Sequence, residues 1–226
     1  MKKCIACVCF SVVCSSASVQ AGVVKRVVDE FNTASESQML GDRQVDSFEF
    51  ANDFGLGSSF LLDPNFDTGS DIGALVMQSD PGVGREGMIK YNGNGVGLDL
   101  DATLLDDFAL EFRSVDVSFV MQVQMKTYGA DGQVQGAAIW AIHVSEGEYV
   151  EESWSFSDVT VIQGAFQRTD VDEVLVRFNL ATNSTEDLDF VASRLTTSII
   201  PAPSTSIMFG VAAWAALGAR RRTQVS

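Results

Sequence analysis

The plainest pattern along the chain is a period of two. From Val117 to Met125, the residues Val117, Phe119, Met121, Val123 and Met125 share one parity. Ser118, Gln122, Gln124 and then Lys126 share the other, with Val120 the one exception. Alternation of this kind predicts a half-buried antiparallel strand. Val174, Val176, Phe178 and Leu180 repeat it against Arg177 and Asn179, and Leu188, Phe190 and Ala192 repeat it again. Further strands are predicted over Met88–Tyr91, Phe108–Arg113, Ala138–Val144, Val150–Phe156 and Asp158–Ile162. Turn signals separate them at Asn92-Gly93-Asn94-Gly95, Asp131-Gly132, Glu146-Gly147 and Asn183-Ser184. Only Thr103–Asp107 suggests a helical turn, and the polar, Gly-bearing residues 32–58 read as long loops with an edge strand. Many short strands with polar turns predict an all-β fold, an antiparallel β-sandwich of jelly-roll type over residues 22–200. No repeat with a period of about 20–50 residues is present, which excludes a solenoid or propeller.

The two ends break the pattern. Lys2 and Lys3 precede an apolar run from Cys4 to Cys14, and Val19-Gln20-Ala21 then offers a cleavage-like site before Gly22. Residues 1–21 are therefore expected to be a secretory signal, removed by signal peptidase. All four cysteines (Cys4, Cys7, Cys9 and Cys14) fall inside it. The mature chain would then have no disulfide, thiolate metal site or cysteine nucleophile. At the other end, Pro201-Ala202-Pro203 stops the chain, Ile207 to Ala219 is apolar or small throughout, and Arg220, Arg221 and Arg222 close the run. Residues 204–219 as a helix would span about 24 Å, a short transmembrane segment with its arginines on the cytoplasmic side.

Charge adds an exclusion. All 30 acidic residues lie between Asp29 and Asp189, against ten basic ones in the body, a net −20. Nucleic-acid binding needs a basic footprint, so it is excluded, as is a polybasic membrane patch on the body.

The C-terminal motif, Pro201 and Pro203 followed by a short hydrophobic span and Arg220, Arg221 and Arg222, resembles the PEP-CTERM sorting signal of exported proteins in environmental, often biofilm-forming bacteria. Ala202 stands where that family usually has Glu. Over its 26 residues the resemblance implies sorting only: hold-up at the membrane, then processing by an exosortase-like membrane protease and release to the cell envelope or extracellular matrix. The middle, opening Val27-Val28-Asp29-Glu30-Phe31 and closing Asp187-Leu188-Asp189-Phe190, resembles galactose-binding-like sandwiches in layout.

Candidate chemistry is sparse. Asp63, Asn65, Asp67 and Asp71 place oxygen ligands at alternate positions on a Gly-bearing stretch, a pattern that suits calcium. Thr68 and Ala74 stand where an EF-hand needs Gly and Glu, which excludes that motif. The one histidine, His143, sits in a strand with Ile139 and Ala141 on its face, and no Gly-x-Ser-x-Gly elbow accompanies it. Glu146, Glu148 and Glu151 have the spacing of paired carboxylates in jelly-roll glucanases, but Ser145-Glu146-Gly147 reads as a hairpin tip. Trp140, Trp154, Tyr128 and Tyr149 are candidates for a sugar-stacking platform. The expectation is a non-enzymatic, exported surface or matrix protein that needs no cofactor and binds glycan, exopolysaccharide being the natural partner. The alternative is a glycoside hydrolase acting on exopolysaccharide through acids such as Glu148 and Glu151.

Overall fold

The computed structural model describes residues 24–33, 36–67, 72–183 and 185–199. The leader over 1–21, the tail over 201–226 and Asp71 lie outside the described residues. Two antiparallel sheets form the fold. One contains β1 (Val24–Asp29), β4 (Ser58–Asp67), β5 (Ile72–Ser79), β7 (Leu105–Val115), β10 (Gly147–Ser155) and β13 (Phe190–Ile199). The other contains β2 (Glu36–Ser37), β3 (Gly41–Asn52), β6 (Val83–Tyr91), β8 (Phe119–Tyr128), β9 (Val134–Val144), β11 (Val161–Gly164) and β12 (Glu173–Phe178). The six-stranded sheet runs β10-β7-β13-β5-β4, and the seven-stranded sheet runs β11-β9-β8-β12-β6-β3-β2. β13 organises the first: β5 pairs with its opening residues and β1 with its closing ones, while β7 follows its other side. Among the described residues no helix is long and apolar enough to cross a membrane.

The alternating strands supply the core from both sides. Phe119, Met121, Val123 and Met125 of β8 and Val174, Val176 and Phe178 of β12 are buried. They meet Phe108, Leu110 and Phe112 of β7 and Phe190 of β13. Phe190 sits at the centre, 5.4 Å from the stacked Phe119 ring, 5.2 Å from Phe178 and 5.6 Å edge-on to Phe112. Such ring pairs add roughly 0.5–1.5 kcal/mol each beyond the area they bury. Gly87 is needed here because a Cβ would stand 2.5 Å from the Phe60 ring.

Several expectations are corrected. Residues 32–58 hold a twelve-residue strand, β3, inboard of the two-residue edge strand β2. The reason is a buried charge. Arg43 of β3 points inward and donates to the Asp29 carboxylate and the Thr33 carbonyl. The Tyr91 hydroxyl donates to Asp29 Oδ2 at 2.8 Å and the Phe31 amide to Oδ1 at 2.8 Å. Neither the Asp29 nor the Arg43 side chain is exposed. Burial first, then the Asp29 charge, pushes the Tyr91 phenol well above its ordinary range. The helical turn is a three-residue 3-10 helix, Ala102–Leu104, capped by Asp101, and Leu105 already begins β7. Asp158 closes another 3-10 turn, Phe156–Asp158, ahead of β11. Ser145-Glu146-Gly147 is not a hairpin tip, because β9 and β10 belong to different sheets and the segment crosses from one to the other.

Candidate functional site

With one parity of β3, β6, β12 and β8 committed to the core, the other faces solvent across four neighbouring strands. Pairing aligns these residues in rows. Gln44, Lys90, Leu175 and Gln124 form one, and Asp46, Met88, Arg177 and Gln122 the next. Glu173 pairs with Lys126 on one side, and Phe48 with Glu86 on the other. An apolar diagonal therefore runs from Phe48 through Met88 to Leu175, roughly 16 Å long from strand spacing and rise. Phe48 is 42% exposed. Polar groups flank the diagonal on both sides. A depression of about 290 Å³ lies over its Met88–Leu175 end, lined by Gln44, Asp46, Met88, Lys90, Lys126, Glu173 and Leu175, with Phe48 outside it.

The polar groups are held in place by one another. Glu173 accepts from Lys126 Nζ at 2.6 Å and from the Tyr128 hydroxyl at 2.6 Å. Arg177 Nε donates to the buried Glu86 at 2.6 Å, whose other oxygen takes the Ala181 amide at 3.2 Å. Gln122 accepts from the Gln124 amide and from Arg177 at 3.4 Å. Desolvation, and then the hydrogen bond to Glu173, raises the Tyr128 phenol above its ordinary range. The face thus carries fixed donors and acceptors around an apolar floor, an arrangement that suits a ligand with hydroxyl rims and apolar ring faces.

The residues singled out from sequence fall in different places. Trp140 and Trp154 are in the core, not on a platform: Trp140 Nε1 donates to the Ser155 carbonyl at 2.7 Å, and Trp154 stacks on Phe108 at 6.0 Å. Tyr128 borders the face just described, while Tyr149 is exposed on the other sheet. His143 is exposed opposite Val120, and no hydrogen bond among the described residues ties it to a serine or aspartate. Glu148 and Glu151 line separate depressions, and Glu151 is held by Lys25 at 2.6 Å. Asp63 and Asn65 lie on β4, where pairing with β5 breaks between Asp63 and Asp67, and the Asn65 amide donates back to Asp63 at 3.0 Å.

A different acidic group was not foreseen. Carboxylate oxygens of Asp99, Asp170 and Asp172 lie within 4.8 Å of one another. The Tyr128 amide donates to Asp172 at 2.6 Å. The bridge between Leu100 and Val171 brings these distant stretches together, and no local spacing signals it.

The fold and this face define a class: an antiparallel two-sheet sandwich with a polar, partly apolar-floored sheet face. The sequence matches no family model and no curated protein. Among solved structures, the chain is similar to the family 11 carbohydrate-binding module from Clostridium thermocellum in complex with a β-1,3-1,4-mixed-linked tetrasaccharide. The TM-score is 0.50 at 11% identity, covering 78% of this chain and 96% of that one. The family 11 module of the cellulosomal cellulase Lic26A-Cel5E of Clostridium thermocellum is similar to the same degree, with TM-score 0.50, 11% identity and 78% and 95% of the two chains. At that identity the likeness is one of fold.

Proposed function

We propose that this protein is a non-enzymatic glycan-binding module, and that the outward face of the seven-stranded sheet is its binding surface. The observation that carries the reading is the Phe48–Met88–Leu175 diagonal between two flanks of hydrogen-bonded side chains. Sugar rings rest their C–H faces on the apolar floor and exchange hydrogen bonds with the flanks. Because Arg177, Gln122, Lys126 and Glu173 are already held by neighbours, little side-chain freedom is lost on binding. The fold shared with carbohydrate-binding modules supports the same reading, and one of those modules is in complex with a β-1,3-1,4-mixed-linked tetrasaccharide. A glycan array followed by titration calorimetry tests it. Phe48→Ala and Gln124→Ala, both at accessible positions, should each weaken binding about 3- to 10-fold, the worth of one ring contact or hydrogen bond. Unchanged affinity in both variants, or no glycan bound at all, would overturn the reading.

The proposal extends to the flanks. Residues 1–21 act as an export signal, and residues 201–226 hold the protein at the membrane until an exosortase-like protease releases it. Mass spectrometry of the cell-envelope fraction should then find a chain starting near Gly22 and lacking Arg220–Arg222. A chain still carrying Met1 would remove the export reading, and one retaining the tail would leave a single-pass anchored protein.

A further inference from the structure

The outer row of β6 runs on past the apolar diagonal, and there it has no side chains of its own. Beyond Met88 and Glu86 the residues of the same parity are Gly84 and, just ahead of the strand, Gly82. Phenylalanines of β3 and the loop after it lie over both. Phe50 is the extra residue where the β3–β6 register shifts between Glu49 and Ala51, a bulge of the kind that re-aims a side chain. A Cβ on Gly84 would stand 2.0 Å from the Phe50 ring, and one on Gly82 3.9 Å from the Phe54 ring. Phe54, Phe50 and Phe48 therefore continue the apolar line of Met88 and Leu175. From Gly82 to Lys90, the partner of Leu175, β6 rises roughly 27 Å, against roughly 16 Å for the diagonal alone.

Phe54 is 79% exposed, yet its loop is pinned. The Asn52 side chain donates to the Leu56 carbonyl at 3.0 Å and accepts from the Leu56 amide at 2.8 Å. The Gly57 amide donates to the Asp80 carboxylate at 2.8 Å, and the Asp80 amide donates to the Gly57 carbonyl at 2.9 Å. A ring face held out by a fixed backbone loses little freedom when a ligand covers it.

Charge narrows the ligand. The outward side chains of β3, β6, β12 and β8 around the diagonal include three acids, Asp46, Glu86 and Glu173, and three bases, Lys90, Lys126 and Arg177. They cancel. At the far end, exposed Asp53 adjoins Phe54, and exposed Asp187 accepts from the Gly82 amide. In a body of net charge −20, the strip offers a polyanion no cationic surplus.

We propose that the strip from Phe54 to Leu175 is one extended site for an uncharged linear polysaccharide, gripped along its length rather than as a short fragment. Sugar rings stack on Phe54 and Phe50 as they do on Phe48. The inference rests on the glycan-binding reading and adds to it the ligand's charge, its length and the two further ring contacts.

Titration calorimetry of the purified protein tests it, with soluble mixed-linkage β-glucan, xylan and galactomannan, a trisaccharide cut from each, and alginate as the charged polymer. A trisaccharide covers the diagonal without also reaching Phe54. At least one neutral polymer should bind at least tenfold tighter per site than its trisaccharide, and alginate should not bind. Phe54→Ala should lower that polymer's affinity about 3- to 10-fold and leave the trisaccharide within twofold, while Phe54→Tyr keeps both. Phe48→Ala should weaken both. A trisaccharide as tight as its polymer, full polymer affinity in Phe54→Ala, or alginate bound as tightly as the neutral polymers would overturn the extended site and leave the glycan-binding reading standing. Binding of none of these ligands would count against both. Sedimentation velocity should show the same monomer for wild type and Phe54→Ala; self-association lost on substitution would make the strip a contact between copies and overturn the proposal.

Discussion

Replacing Arg43 by methionine tests the buried cluster that seats β3. The substitution keeps much of the volume but takes the charge partner from Asp29. That carboxylate would keep only the Tyr91 hydroxyl and the Phe31 amide as donors, with no exposure to water. Removing one member of a buried ion pair costs about 3–5 kcal/mol, because the remaining charge is left uncompensated. Two surviving donors place the expected loss near the lower end, about 3 kcal/mol, against a typical total of 5–15 kcal/mol. With a urea m-value of about 2 kcal/mol/M, the midpoint should fall by about 1.5 M. The buried Trp140 and Trp154 report the transition by fluorescence. Adding Asp29→Asn to Arg43→Met removes the stranded charge and should recover more than half of the loss. A single variant within 1 kcal/mol of wild type, or a double variant no more stable than the single, would refute the reasoning.

Other outcomes follow from the same geometry. Tyr91, buried beside Asp29, is held protonated in the fold beyond the pH at which a free phenol ionises. Its contribution is therefore complete below about pH 10 and is lost as pH rises further; Tyr91→Phe should make the alkaline limb of a melting-temperature profile shallower. Glu49 is lowered to about 2 by the Ser58 hydroxyl, then Asn52, then Arg85. Its contribution is present above its ordinary 4.5 and disappears as pH falls towards 2; Glu49→Gln should flatten the acid limb over that window. Calcium at a few millimolar should raise the melting temperature by a degree or more over chelated protein. Loss of that response in Asp67→Ala would assign the ion to the set around Asp63, and loss in Asp170→Asn to the Asp99–Asp170–Asp172 group. Coincident curves with calcium and chelator would mean that neither group binds it.

Half of the proposed binding face was legible from local pattern. The parity of β8 marks Gln122, Gln124 and Lys126 as outward, and that of β12 marks Arg177. Asn179, read with them, instead ends β12 in a left-handed conformation and is buried, with its amide donating to the Arg85 and Thr185 carbonyls. The other half depends on β3, which is hidden because an inward arginine looks like a surface residue until Asp29 is placed beside it. The crossing between β9 and β10 was illegible for a different reason. Turn chemistry at Glu146-Gly147 is the same whether the next strand pairs with the last or joins the opposite sheet. Trp140 and Trp154 show the remaining limit, since alternation assigns a parity but does not say which parity faces the core.

The pairing of Val24 with Ile199 has a mechanical consequence. The two ends of the described domain sit side by side, so whatever flanks it departs from a single corner. Opposed tension on those flanks loads the β1–β13 hydrogen bonds one after another rather than all together. The domain would open like a zipper, from that corner inward, at low force. A pull delivered through either sheet face against a tether on one flank alone bypasses that seam. The same fold is then a weak link when stretched end to end and a firm one when held by one end.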